Sequence, residues 1–401
     1  MTDTSYAKSG HRQVRRRDWI VLPLLAVLTS VVLVGSVELA ARWRFPVPHG
    51  TADSCFVMND PVRGVYGKPG CTFNGKNEDS DPVLYQLDAN GYRNPPGLAT
   101  RSPQSFRILL AGSSMAFGLF VPEQETMAAL LPDLLQTRTG RPVELYDEGI
   151  LRAYKIHSYV RLQDPSHTTP DLVLWMLGPT DMRDAAMDGL PKLMDRSDPG
   201  LLPWMMHRLR EHFADGNLQV ALGHMLAETR TEFASRYYAY RSPTLYLRSY
   251  LAQVDYENGF LRTHLSPGWK ANLEQIGSDL ADVSRQAKAA HIPLAVFYVP
   301  NHAQAEMVAM GKWPKGYDPY QLNEVLRQMV TADGDTFLDI LPGYRTVPVE
   351  EIQHDYYLVD GHPNAGGQAL MARLTAQALL RNPPPGLLDN TGKPAPQKGA
   401  Y

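Results

Sequence analysis

Cysteine is scarce in this chain: 401 residues contain two, Cys55 and Cys71. A metal site would need more ligands than the segment around that pair offers, so none is expected there. A basic excess is also missing. Lys and Arg number 39 against 42 Asp and Glu, a net charge of −3, which leaves no surplus of positive charge for phosphates and makes nucleic acid an unexpected partner. No internal repeat divides the sequence. Charge is absent from one long stretch, Trp19 to Val37, about 19 residues, close to the ~20 that cross a hydrocarbon core as a helix.

Arg12, Arg15, Arg16 and Arg17 stand directly before that stretch, and only Arg42 and Arg44, beside Glu38, follow it. The positive-inside bias keeps the N-terminus cytoplasmic and exports the rest. A cleaved signal peptide is the competing description, but the apolar stretch exceeds the usual ~7–15 residues of such a core. Glu38-Leu39-Ala40-Ala41-Arg42 is also a poor cleavage site, so an uncleaved single-pass anchor is expected. In an oxidising exported compartment, Cys55 and Cys71 flank Pro61, Gly64, Gly67, Pro69 and Gly70 and can close a turn-rich loop as a disulfide. Two unpaired thiols are the alternative.

Short apolar runs bounded by Gly, Pro or Asp mark candidate strands at residues 107–111, 143–147, 172–177, 293–299 and 336–339. Amphipathic stretches separate them: Leu273, Ile276, Leu280, Val283 and Ala287 share one helical face, and Leu370, Met371, Leu374 and Ala378 mark a final helix. The expected fold is α/β, a three-layer α/β/α sandwich around a five-stranded parallel sheet, with an N-terminal transmembrane helix and a helical insertion. The expected division is a basic cytoplasmic segment 1–18, the membrane helix 19–41, an extracytoplasmic neck 42–100, a catalytic domain 101–382 and a disordered tail 383–401. The insertion, about 185–266, is rich in Tyr and Arg, as in Arg236-Tyr237-Tyr238-Ala239-Tyr240-Arg241. Those side chains either stack on sugar rings or grip acidic groups, or else they pack a helical cap or lie near the membrane surface.

Gly112-Ser113-Ser114 follows the apolar run Ile108 to Ala111, and Asp360-Gly361-His362-Pro363-Asn364 lies far downstream. A serine at a strand end with a distant histidine and carboxylate can form a nucleophilic triad. The imidazole takes the serine proton, the acid fixes its tautomer, and the reaction is acyl transfer. Ligands of open parallel sheets bind beyond the carboxyl ends of the strands, where Ser114, Gly178 to Asp181 and Pro300-Asn301-His302 all fall. A helix is expected to begin after Ser114 and to direct its N-terminal amides at a developing oxyanion.

These blocks resemble those of the SGNH, or GDSL-like, hydrolases. Gly112-Ser113-Ser114 is similar to the family's first block, with Ser113 in place of the usual aspartate and Ser114 as nucleophile. Asp360-Gly361-His362 is similar to the last, which supplies acid and base. The run Asp171 to Asp181 resembles a strand ending in the family's Gly-x-Asn-Asp block, and Asn90-Gly91-Tyr92-Arg93 resembles a preface of membrane-anchored bacterial members. The resemblance implies catalytic Ser114, His362 and Asp360, and oxyanion or substrate binding by Ser114, Arg152, Gly149, Thr180 and Asp181. His302 is a candidate substrate contact. Thr180 stands where the family has asparagine, Gly149 or the backbone of Arg152 fills the second donor position, and one residue rather than two separates Asp360 from His362, with Asp355 as an alternative acid. No cofactor is implied.

Relatives of this type imply a serine esterase of the bacterial inner membrane, with its catalytic domain periplasmic, that removes O-acyl groups, chiefly acetyl, from a cell-surface or secreted polysaccharide. A polysaccharide O-acetyltransferase using the same triad is one alternative. A non-catalytic component of an envelope polysaccharide assembly is another, and either reading admits a polysaccharide-synthesis complex as partner.

Overall fold

The computed structural model describes residues 17–46, 55–60, 64–95, 98, 105–151, 170–183, 229–253 and 255–388. Two compact units divide the chain, one from Met1–Pro46 with Pro199–Ser235 and one from Val47–Asp198 with Arg236–Tyr401. In the first, helix α1 (Asp18–Arg44) is long and apolar enough to cross a membrane. Its Glu38 carboxylate accepts hydrogen bonds from the backbone N–H groups of Arg230 and Thr231, and Phe45 meets Phe233 at 5.3 Å.

The second unit begins with two antiparallel hairpins, β1 (Phe56–Asp60) with β2 (Gly64–Gly67) and β3 (Thr72–Gly75) with β4 (Val83–Gln86). A disulfide between Cys55 and Cys71, with Cα atoms 5.6 Å apart, ties them together. The five strands that follow are β5 (Phe106–Ala111), β6 (Val143–Asp147), β7 (Leu172–Leu177), β8 (Leu294–Tyr298) and β9 (Thr336–Leu338). They form one parallel sheet in the order β6-β5-β7-β8-β9.

Every residue of β5, β7 and β8 is buried, as strands covered on both faces require. The two-residue period divides their side chains. Ile108, Leu110, Leu174 and Phe297 face one core with helices α2 (Met127–Thr139) and α10 (Ala365–Arg381). Leu109, Val173, Trp175 and Val296 face the other, with α6 (Pro267–Ala289) and α8 (Gln321–Ala332). The face Leu273, Ile276, Leu280, Val283 and Ala287 of α6 is buried here, completing the expected α/β/α sandwich. Ser266 caps α6 through the Trp269 amide, and Asn364 caps α10 through the Gly366 and Gly367 amides.

The first strand of the sheet, β5, lies between β6 and β7, so the chain leaves it in opposite directions and opens a crevice at its carboxyl end. The remaining α-helices of five or more residues are α3 (Pro179–Arg183), α4 (Arg230–Ala239), α5 (Pro243–Leu251), α7 (His302–Met310) and α9 (Val349–His354). Tyr240 and Tyr246, from the Tyr-rich insertion, are buried against Ala303 of α7 and pack the fold, whereas Tyr238 is 55% exposed. Leu387 is buried in the core, so packed chain extends past the expected tail boundary at 383; residues 389–401 lie outside the described residues, as do 184–228 of the insertion and the basic residues Arg12, Arg15 and Arg16.

Candidate active site

Ser114 sits where the chain leaves β5. Its Oγ lies 2.8 Å from His362 Nε2, and His362 Nδ1 lies 2.5 Å from Asp360 Oδ1. Asp360 Oδ1 also accepts the His362 backbone N–H at 3.1 Å. One carboxylate therefore fixes both the ring and the backbone of the histidine. Gly361 makes this short loop feasible with φ +84, a left-handed conformation that glycine adopts without strain. Burial disfavours the imidazolium, but the charge and hydrogen bond of Asp360, with a further contribution from Asp181, outweigh it and hold the His362 pKa above its ordinary value.

The expected helix after Ser114 does not form. Residues 113–121 make a run of turns, with Phe117 N–H bonded to Ser113 O and Leu119 N–H to Ser114 O, and the next α-helix begins at Met127. Gly118 at φ +68 and Phe120 at φ +65 interrupt any helical path. Arg93 holds this turn from outside. Its buried guanidinium donates to Phe117 O at 2.8 Å, Gly118 O at 2.7 Å and Val121 O at 2.6 Å, and it lies 4.5 Å over the Tyr85 ring. Tyr85 continues a stack through Phe73 and Phe117, at centroid distances of 4.6 and 5.4 Å. The hairpins are thus packed against the turn that carries Ser114.

Phe120 is fastened at both backbone groups. Its N–H donates to Tyr85 Oη at 2.6 Å, and its carbonyl accepts from Tyr357 Oη at 2.6 Å. Its ring stands perpendicular to the His362 imidazole, 87° between planes and 6.0 Å between centroids. Asp79, in the loop after β3, accepts the Val359 N–H at 3.3 Å just before Asp360. Burial first, and then the charge of Asp360, push its pKa up to about 6, against the lowering effect of that hydrogen bond.

Of the other residues singled out in the sequence, the structure brings some to the site and turns others away. Thr180 is exposed on the first turn of α3. Asp181 Oδ2 accepts the Gly178 N–H at 2.7 Å, so it fastens the start of that helix. Gly149 passes so close to the turn after Ser114 that a Cβ would lie 2.4 Å from Phe117 N. Its own N–H is given to Asp147 Oδ1 at 2.7 Å, which leaves it no hydrogen for an oxyanion. Arg152 lies outside the described residues. Asp355 faces Gly366 rather than the imidazole, with a Gly366 Cβ position 2.3 Å from its Oδ1, so Asp360 is the carboxylate that touches His362.

His302 is 1% exposed and lines no open surface. Its ring lies between Tyr246, 4.1 Å away, and Tyr356, 4.9 Å away, and its Nε2 is 3.1 Å from Glu306 Oε1 without the alignment of a hydrogen bond. Burial lowers the His302 pKa to about 3 and raises that of Glu306 to about 9, so both are neutral at pH 7. Among the described residues, no group of three His, Cys, Asp or Glu could hold a metal ion.

Sequence reasoning did not find Tyr85, Phe120, Tyr357 or Asp79. No motif marks them, because each acts through contacts made across the fold. The preface Asn90-Gly91-Tyr92-Arg93 was the one signal in the sequence that pointed at Arg93.

No protein-family model matches the chain, and no curated protein does. Solved structures similar to it include the lipase Lip_vut3 from a goat rumen metagenome, with 12% identity, 68% of this chain and 97% of that chain covered, and a TM-score of 0.34. TesA matches at 13% identity over 68% of this chain and 97% of its own, with a TM-score of 0.36. Axe2, an acetylxylan esterase from Geobacillus stearothermophilus, matches at 13% identity over 71% and 96%, with a TM-score of 0.35.

Proposed function

We propose that this protein is a membrane-anchored, extracytoplasmic serine esterase of SGNH type that removes acetyl or other O-acyl groups from a cell-surface or secreted polysaccharide. The observation that carries the reading is the continuous chain Ser114 Oγ, His362, Asp360, at 2.8 and 2.5 Å.

With Nδ1–H donated to Asp360, His362 Nε2 presents its lone pair to the Ser114 hydroxyl. The imidazole takes the hydroxyl proton as the serine oxygen bonds to the ester carbonyl carbon. The developing oxyanion is met by the Ser114 N–H, which has no acceptor among the described residues, and by the Thr180 hydroxyl on the first turn of α3. As the tetrahedral intermediate collapses, Nε2 returns the proton to the leaving alkoxide, and water then repeats the sequence to release the acid. Asp360 stabilises the imidazolium in both halves. No step calls for a metal or an organic cofactor.

The uncharged stretch of α1 and its basic N-terminal flank support retention in the inner membrane with the catalytic unit outside the cytoplasm. Polysaccharide as the ester-bearing alcohol rests on the resemblance of the preface and catalytic blocks to exported, membrane-tethered relatives.

The test is turnover of a small acetyl ester by the wild type and by Ser114→Ala, with folding followed by circular dichroism. Turnover is expected to vanish while the fold stays intact. Retained turnover in the variant removes Ser114 from the nucleophile role, and failure of a fluorophosphonate to label the wild type leaves no activated serine.

A further inference from the structure

We infer that Phe120 is a specificity-determining residue of this site: its ring forms an aromatic wall for the alcohol half of the ester and selects alcohols with a flat apolar face, such as a pyranoside, over open-chain alcohols. The inference rests on the serine-esterase reading above.

A phenylalanine is an unfavourable choice at φ +65, where its Cβ crowds the following carbonyl and glycine would be relaxed. The surrounding structure enforces the conformation through two tyrosine hydroxyls from separate parts of the chain, Tyr85 on β4 and Tyr357 in the loop that carries His362. Core packing does not account for it. Phe117, three residues earlier, is 1% exposed within the hairpin core, whereas Phe120 is left half-buried beside the imidazole. Strain held in place at a site by independent contacts is a sign that the side chain's position has a use.

The chemistry says which half of the substrate that position meets. When the intermediate collapses, the leaving oxygen must be within about 3 Å of His362 Nε2 to receive its proton. The carbon frame attached to that oxygen therefore passes the side chains that border the imidazole. Phe120 is such a side chain, perpendicular to the ring at 6.0 Å. An aromatic wall there offers a flat apolar surface, and the C–H face of a pyranose ring matches it where a flexible chain does not.

The experiment uses the full-length protein and compares an acetylated methyl pyranoside with butyl acetate, together with p-nitrophenyl esters of increasing acyl length. Phe120→Gly relieves the backbone strain while removing the ring, Phe120→Leu keeps apolar bulk without the aromatic face, and Phe120→Tyr restores that face. The Gly and Leu variants are expected to lower kcat/KM for the pyranoside relative to butyl acetate by at least about tenfold, chiefly through KM, with Phe120→Tyr within about threefold of wild type. The acyl-length order should not change. A pyranoside to butyl acetate ratio unchanged in the Gly and Leu variants, or a change confined to acyl length, overturns the inference. Both outcomes leave Ser114-dependent turnover in place; equal turnover by wild type and Ser114→Ala is the separate result that removes the esterase reading itself.

Discussion

Asp360 Oδ1 bonds both the ring and the backbone N–H of His362, at 2.5 and 3.1 Å, across the single residue Gly361. The short spacing works because the loop turns back on itself. Tyr357 N–H bonds His362 O, Gly361 N–H bonds Tyr357 O, and Tyr356 bridges to Pro363. Gly361 has open space where a Cβ would go, so Gly361→Ala introduces backbone strain and nothing else. The expected result is a loss of about 1–2 kcal/mol in stability and a fall in kcat of about tenfold or more as the imidazole loses its alignment. Thermal unfolding and steady-state kinetics check the two separately.

Asp360→Asn should lower kcat by about 10³ to 10⁴ with the fold unchanged, since the amide no longer holds the correct tautomer or stabilises the imidazolium. The pH profile gives a second readout. The base must be neutral to accept the serine proton, so kcat/KM falls as pH drops through the His362 pKa, which lies above its ordinary value. Removing the Asp360 charge takes away the strongest influence raising that pKa and should move the acid limb to lower pH. A limb that does not move would assign the titration to another group.

Arg93→Lys should behave unlike a conservative change. The guanidinium fork reaches three carbonyls of the nucleophile turn at once, and a single ammonium on a flexible stem cannot. A loss of about 2–3 kcal/mol is expected from the broken buried bonds. Slower labelling of Ser114 by a fluorophosphonate should accompany it, because the turn that presents the hydroxyl loosens. Denaturant titration and labelling rates on the same preparations test the pair of effects.

The disulfide between Cys55 and Cys71 closes a sequence separation of 16 residues, for which chain entropy alone predicts about 3 kcal/mol. Replacing both cysteines by serine should lower the unfolding temperature accordingly. Since Tyr85 and Arg93 reach the turn from this part of the chain, activity should fall at temperatures where the sheet itself remains folded.

His302 and Glu306, away from the triad, add their own pH dependence of stability. The Glu306 pKa is raised from 4.5 to about 9, so the folded state keeps a proton that the unfolded chain has lost, and stability declines as pH rises across that window. The His302 pKa is lowered from 6.5 to about 3, so stability declines in the opposite direction as pH falls below 6.5. Glu306→Gln removes the first slope. The variant should gain on the wild type steadily between pH 5 and pH 8 by up to about 1.4 kcal/mol per pH unit, measured as unfolding midpoints; parallel profiles would mean that Glu306 is ionised in the fold.

The sheet was legible in the sequence because strands buried on both faces are short apolar runs: Leu172–Leu177 and Leu294–Tyr298 are uninterrupted, and β5 is apolar over 108–111 after the charged Arg107. The meeting of Ser114 with His362 was legible from motif order and from the rule that places sites at strand C-termini. The conformation after Ser114 was not, because apolar spacing at Met115, Ala116 and Phe117 says nothing of a left-handed Phe120 held by distant hydroxyls. His302 misled for a related reason: its place just past a strand marks the site's neighbourhood, but two tyrosines close over its ring. Gly149 was a candidate amide donor by position, yet the nearest acceptor in the fold, Asp147, takes its hydrogen.

The hairpins matter for anyone trimming this protein to a soluble fragment. A start at residue 101, the expected boundary of the catalytic domain, discards the guanidinium under the turn that carries Ser114 and the hydroxyl behind Phe120. Such a fragment would keep all three triad residues and still lack the scaffold that aims them. A workable truncation has to begin ahead of Cys55, and it should be produced where thiols oxidise.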